Sequence, residues 1–325
     1  MKVVITGGAG FIGSHLTDLL LKNGETITVI DNLSTGRIQN LNSSINEIRF
    51  IQADLAEPGD WQDCIGEADY VYHLASLADI VPSIENPLEY YKSNVTGTIN
   101  VLASCNPSKL SKLIYAGSSS CYGIPDEYPT PETAEIRLEY PYALTKRIGE
   151  ELVLHWHKVY GLKVVSTRFF NVYGTRSRTS GTYGAVFGVF LAQKLANKPL
   201  TVVGDGTQSR DFTYVTDICN GLYIAAKSKC SGEVYNLGSG STHSINHLAS
   251  LIGGNITYIP MRPGEPKITF ADISKAQINL GYQPQISFEQ GVQNVLNEIS
   301  YWKSAPVWDS ESIEIATKSW FKYLT

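Results

Sequence analysis

Short apolar runs alternate with amphipathic stretches through the first half of the chain. Residues 2–6 read as a strand. The run Gly7-Gly8-Ala9-Gly10-Phe11-Ile12-Gly13 then leads into the helical pattern Ser14-His15-Leu16-Thr17-Asp18-Leu19-Leu20-Leu21, which Gly24 ends. Further strands are predicted at Thr26–Ile30, Ile48–Gln52, Tyr70–Leu74, Lys112–Ala116 and Lys163–Arg168, with helical segments between them. A helix is predicted from Tyr142 through Lys146, Glu150 and Leu154 to Tyr160, with Gly161 closing it. Repeated βα units of this length specify a parallel sheet with helices on both faces and ligands at the C-terminal strand ends.

Beyond residue 172 the pattern shifts to turns, first at Arg176-Ser-Arg-Thr-Ser-Gly-Thr-Tyr-Gly184 and again at Gly204-Asp-Gly-Thr-Gln-Ser-Arg-Asp-Phe212. The expected fold class is α/β, a doubly wound, Rossmann-type parallel sheet with a smaller, interleaved C-terminal substrate-binding lobe. Residues 1–171 form the sheet domain, with returns to the sheet around 211–238, and residues 172–325 form mainly the second lobe and the tail. No Pro/Gly/Ser-rich linker separates the two, so neither is expected to stand alone. Trp302, Trp308, Trp320 and Phe321 in the tail are expected to pack a terminal helix.

Composition narrows the partners. With 325 residues, 43% hydrophobic and 18% charged, the chain reads as globular. A net charge of −5 without blocks of like charge argues against a nucleic-acid surface, so any phosphate site must be local. Cys64, Cys105, Cys121, Cys219 and Cys230 are odd in number and form no C-x-x-C pair, as expected of reduced thiols. No apolar segment is long enough for a signal peptide or membrane span, so a cytoplasmic location is expected and the sequons at Asn42, Asn94 and Asn255 are coincidental. His155 and His157 point in different directions on a helix, and no metal is expected.

The glycine run carries the first chemistry. Gly8, Gly10 and Gly13 satisfy G-x-G-x-x-G, and Gly7, Gly10 and Gly13 satisfy G-x-x-G-x-x-G, in the strand–turn–helix context a dinucleotide site needs. Asp31 stands at the end of the next strand, 18 residues beyond Gly13. A carboxylate there accepts from a ribose 2′-hydroxyl and repels a 2′-phosphate, which favours NAD over NADP; Arg37 is the nearby residue that opposes this preference.

The second chemistry is Tyr142 with Lys146, four residues apart and therefore on one helix face. Tyr223 and Lys227 have the same spacing, so the spacing alone does not choose between them. Only the first pair has a serine cluster upstream, Ser118-Ser119-Ser120, at the end of a strand; Tyr223 has Pro199 at the corresponding position.

Together these residues resemble the extended short-chain dehydrogenase/reductases, specifically the nucleotide-sugar 4-epimerases. The similarity runs through Gly7-x-x-Gly10-x-x-Gly13, Asp31, Asp54-Leu55, His73-Leu-Ala75, Asn94-x-x-Gly97-Thr98, Ser118, Tyr142-x-x-x-Lys146, Arg168-x-x-Asn171-x-Tyr173-Gly174, Arg210-Asp-Phe, Asn236-Leu-Gly-Ser-Gly240, Arg262-Pro-Gly-Glu265 and Asp272-Ile-Ser-Lys-Ala276. It implies that Tyr142 is the acid/base, that Lys146 binds the nicotinamide ribose and lowers the tyrosine pKa, and that Ser118 bonds the reacting hydroxyl. A phenol with pKa near 10 needs about 4 kcal/mol of differential stabilisation to work as a base near neutrality. NAD contacts are implied for Gly7, Gly10, Phe11, Ile12, Gly13, Asp31, Asn32, Asp54, Leu55, Leu74, Ala75 and Asn94. Substrate contacts are implied for Ser118, Tyr142, Asn171, Arg210, Arg262, Glu265 and Thr269, the two arginines suiting a diphosphate.

The resemblance further implies a nucleotide-diphosphate sugar as substrate and a homodimer built from the Tyr142 helix and the helix after Asn94. The reaction expected is oxidation at C4, rotation of the ketone and hydride return. Related 4,6-dehydratases carry Thr-Asp-Glu where this chain has Ser118-Ser119-Ser120, and elimination would lack those carboxylates. Thr269, at a position bulky in enzymes restricted to glucose and galactose, leaves room for an N-acetyl group; UDP-GlcNAc/UDP-GalNAc and UDP-Glc/UDP-Gal are the expected pairs. Arg176 and Arg178 keep a uronate epimerase or decarboxylase open. A non-catalytic NAD-binding scaffold is the remaining alternative.

Overall fold

The computed structural model describes residues 1–177 and 185–324. Seven parallel strands form the central sheet. In chain order the first six are β1 (Lys2–Thr6), β2 (Thr26–Asp31), β3 (Arg49–Gln52), β4 (Tyr70–His73), β5 (Lys112–Ser118) and β6 (Val164–Phe169); Glu233–Leu237 supplies the last. Their spatial order is Glu233–Leu237, β6, β5, β4, β1, β2, β3. The order reverses between β1 and β4, opening a crevice at their C-terminal ends.

Alternation along β1 shows why the sheet is covered on both faces. Val3 and Ile5 enter one apolar cluster with Leu16, Leu20 and Ile218, whereas Val4 enters the other with Ile30, Val71 and Val164. Burial of both faces makes the strands near-continuous apolar runs, and this is the pattern the sequence displayed.

Two of the strand ends that run further than predicted bear on the site. β2 reaches Asp31, paired with Gln52, and β5 reaches Ser118, paired with Phe169. Ser118 therefore sits in the ladder itself and not in the turn after it, so its position is fixed by the sheet. The long helix spans Pro141–Tyr160, with proline in its first turn and Gly161 in the left-handed conformation at its end (φ 70°).

The C-terminal part folds onto this sheet. Short strand pairs join Val172–Tyr173 to Thr213–Tyr214, Ser209–Arg210 to His243–Ser244, and Leu200–Val203 to Ile256–Ile259. Trp302 and Trp320 are buried, and the helix Lys318–Tyr323 packs on Ile80–Glu85. Phe321 stays exposed. No helix among the described residues is long and apolar enough to cross a membrane.

Candidate active site

One cavity of about 720 Å³ crosses the C-terminal ends of the strands, from Asp31 at one extreme to Arg262 and Trp320 at the other. Of the predicted cofactor residues, Gly7, Gly10, Phe11, Ile12, Gly13, Asp31, Asn32, Asp54, Leu55, Leu74, Ala75 and Lys146 line it. Of the substrate residues, Tyr142, Asn171, Arg210, Arg262, Glu265 and Thr269 do so. Arg176 also lines it, while Arg178 lies outside the described residues.

The glycine turn is shaped by contact. Gly7 has φ +71°, and a Cβ on it would lie 2.7 Å from the Ala75 nitrogen; a Cβ on Gly13 would collide with the Gly7 carbonyl. Gly10 caps the helix Phe11–Lys22, and a Cβ on it would meet only the Gly7 carbonyl oxygen, at 3.1 Å. Its other side opens on the cavity, leaving the first N–H groups of the helix facing an anion-sized approach. Asp31 is buried, accepts from the backbone of Ala9 (3.0 Å) and Leu33 (2.8 Å), and still borders the cavity. Burial pushes its pKa up and those two bonds hold it down. Both carboxylate oxygens retain acceptor capacity for a ribose diol, so the residues fit NAD.

Tyr142 occupies the first turn of the Pro141–Tyr160 helix, and the neighbouring Ser118 hydroxyl works against the rise in its pKa. Its ring stacks parallel to Tyr140 (6.4 Å between centroids, 9°) and meets Tyr90 edge-on at 6.4 Å. Ser118 Oγ also accepts from Ser120 N at 3.2 Å. Ser118 is absent from the cavity wall, which Ser119 and Ser120 line. Lys146, one turn on, is buried, and its ammonium lies 4.6 Å from the centre of the Tyr115 ring.

Burial dominates the electrostatics of this pair. Burial pushes Tyr142 up to about 12, opposed by the neighbouring Ser118 hydroxyl. Burial also pulls Lys146 down to about 7 against the attraction of Glu150. The protein's own groups thus keep the Tyr142 phenol protonated at neutral pH and leave Lys146 about half-charged there. Oxidised nicotinamide supplies a positive charge and a hydride acceptor when bound, and that charge favours the phenolate.

Asn94 departs from expectation. Its side chain accepts from Leu77 N (2.7 Å) and donates to Leu77 O (3.0 Å) and Thr145 Oγ1 (3.0 Å), and it does not line the cavity. It clamps the loop after β4 to the long helix. Beneath that loop His73 bonds Thr6 Oγ1 (2.7 Å) and Thr98 Oγ1 (2.9 Å), and burial drives its pKa down to about 3, so it is a neutral strut.

At the other end Arg210 pairs with Glu265 at 2.7 Å, with Arg262 3.8 Å from the same carboxylate. Thr269 Oγ1 donates to Asn171 Oδ1 at 2.6 Å. Four residues outside the sequence expectation complete the walls. Trp320 donates to Pro263 O (2.7 Å) with Arg262 5.6 Å over its ring. Tyr301 donates to Asn40 Oδ1 (2.8 Å) beside the dinucleotide turn, with Arg37 5.9 Å over its ring. Trp308 and Tyr140 line the cavity between these ends. Only Tyr140 carried a local signal, as the residue before a helix-starting proline. The decoy Lys227 pairs instead with Glu25 (2.8 Å), and neither it nor Tyr223 borders the cavity.

A glycine-turn cleft at the switch point, an acidic strand end and a serine–tyrosine–lysine group beside it define a nicotinamide-dependent enzyme of the Rossmann class. The model of the NAD dependent epimerase/dehydratase family matches residues 3–238, and the chain belongs to that family. It is 36% identical over 309 residues to UDP-glucuronic acid decarboxylase 1 of Xenopus tropicalis, covering 91% of this chain and 71% of that one. A UDP-N-acetylglucosamine 4-epimerase from Methanobrevibacter ruminantium, solved with UDP-N-acetylmuramic acid, superposes with TM-score 0.86 at 32% identity over 93% of this chain and 98% of the other. A UDP-glucuronic acid 4-epimerase from Bacillus cereus, solved with UDP-glucuronic acid and NAD, gives TM-score 0.85 at 35% identity over 94% and 99%. The cofactor is NAD.

Proposed function

We propose that this chain is an NAD-dependent 4-epimerase of UDP-sugars, interconverting UDP-GlcNAc with UDP-GalNAc and accepting UDP-Glc and UDP-Gal. The observation that carries the reading is Tyr142 and Lys146 lining one cavity with Ser119 and Ser120, members of a strand-end triplet that holds no carboxylate. Tyr142 takes the C4 hydroxyl proton and returns it, Ser118 holds the phenol in line, and Lys146 binds the nicotinamide ribose. Arg210 and Arg262 grip the diphosphate, exchanging contact with Glu265 for contact with phosphate oxygens. Rotation of the keto sugar about the diphosphate then presents its other face. Thr269, small and tied to Asn171, leaves space beside the sugar.

A second reading has its own support. Arg176 pairs with Asp18 at 2.8 Å through one nitrogen, while its other terminal nitrogen is buried without a partner among the described residues. That guanidinium suits a uronate carboxylate. The functional unit in either reading is a homodimer. Supporting this, Leu144 is exposed on the long helix, and Leu88, Tyr91 and Ile99 are exposed on helical segments that pack against it.

The test is NMR of UDP-GlcNAc, UDP-Glc and UDP-glucuronic acid incubated separately with the enzyme. The epimerase reading predicts an equilibrating C4 pair from UDP-GlcNAc. Inversion of the uronate alone would favour the second reading; a 4-keto-6-deoxy sugar, a UDP-pentose or no product would refute 4-epimerisation.

A further inference from the structure

In the C-terminal part, His243, His247 and Glu289 bring one ligand-type atom each within 4.8 Å of one another. We propose that these three side chains form a zinc-class divalent-metal site, with water completing the coordination. Two imidazoles and one carboxylate are the donor set that zinc takes in open, three-ligand sites, and no thiol is needed. His247 Nε2 and Glu289 Oε1 are 3.0 Å apart, close to the separation of two ligands on one tetrahedral ion.

The donors are held by rigid starts of secondary structure. Ser244 caps the helix Ile245–Ile252, its side chain accepting from His247 N at 3.1 Å, so the turn that carries His247 is fixed. Ser287 caps Phe288–Asn297 in the same way, accepting from Gln290 N at 3.2 Å, and this fixes the turn of Glu289. The buried Phe288 ring stacks 4.4 Å from His243 at 15°, and Ser241 Oγ lies 3.3 Å from His243 Nε2. Both contacts limit the rotation of that imidazole before any ion arrives.

The position gives the site a consequence. His243 is the register partner of Arg210 in the short antiparallel pair, and Arg210 is a cavity arginine. An ion joining this strand to the helices Ile245–Ile252 and Phe288–Asn297 would tie down the backbone opposite that arginine. None of the three ligands borders the cavity.

Chelator-treated protein titrated with zinc against a competing indicator, and with cobalt(II) by visible absorption, tests this. The expected result is one equivalent bound by the wild type, with cobalt bands of nitrogen–oxygen ligation and no thiolate charge-transfer band. His247→Ala and Glu289→Gln should each weaken binding by more than about tenfold, while His155→Ala should not. Melting without metal checks that the variants fold; the conservative Glu289→Gln keeps the test available if His247→Ala does not. Unchanged stoichiometry and affinity in both variants, a thiolate band from Cys64 or Cys230, or no binding by the wild type would overturn the proposal.

Discussion

Replacing Lys146 with methionine should make the NAD-stripped protein more stable while removing its activity. The ammonium is buried and its pKa falls from 10.5 to about 7. At about 1.4 kcal/mol per pH unit, that burial costs the folded state about 5 kcal/mol when the lysine is charged in both states. Methionine is of similar length and has no charge to desolvate; it forfeits the contact with the Tyr115 ring, about 1–2 kcal/mol. The net gain expected at pH 6–7 is about 3 kcal/mol. Between pH 7 and pH 10.5 the unfolded wild type holds a proton on Lys146 that the native state does not, so this lysine's contribution to wild-type stability rises with pH through the window, and the variant lacks that contribution. Urea unfolding of both proteins across pH 6–10 reads the difference, which should shrink as pH rises. A variant less stable than wild type at pH 7, or a gap independent of pH, would refute the account of this lysine. Turnover should fall by at least about 100-fold.

Other consequences follow from the same geometry. Tyr142→Phe should lower kcat by about 10²- to 10⁴-fold in a coupled UDP-sugar assay, while Tyr223→Phe, remote from the cavity, should leave it unchanged. Thr269→Tyr fills the space beside the sugar and breaks the bond to Asn171, so kcat/KM should fall further for UDP-GlcNAc than for UDP-Glc. Trp320→Ala removes the ring under Arg262 and the bond to Pro263 O. Its expected signature is a KM raised about 5- to 30-fold with kcat largely retained, read from initial rates.

What the chain displayed in advance was whatever is local. The glycine turn, the strand ending at Asp31 and the helix from Pro141 to Gly161 each depend on neighbours within a few residues, and turn chemistry or periodicity writes them into short stretches. The Tyr142–Lys146 face is local too, but its preference over Tyr223–Lys227 needed Ser118, which lies 24 residues upstream. Contacts between distant segments left no comparable trace. Trp320 covers Arg262, and Tyr301 reaches Asn40 across 261 residues of chain; a tryptophan-rich tail signals packing without saying what it packs on. Asn94 shows what a motif position leaves unsaid about its partners. The resemblance implied a cofactor contact, whereas its three side-chain bonds are taken by Leu77 and Thr145. The pKa of Tyr142 was illegible for a different reason: spacing on a helix places a lysine nearby, but burial sets the charge of both groups, and burial belongs to the assembled fold.

The central claim is that hydride leaves C4 and returns to C4 of the same sugar, with Tyr142 moving only the proton. Incubating the enzyme with UDP-GlcNAc carrying deuterium at C4, in ordinary water, tests it directly. The account predicts that UDP-GalNAc forms with the deuterium still at C4 in both sugars at equilibrium. Loss of the label to solvent alongside epimerisation, or inversion at a carbon other than C4, would contradict it.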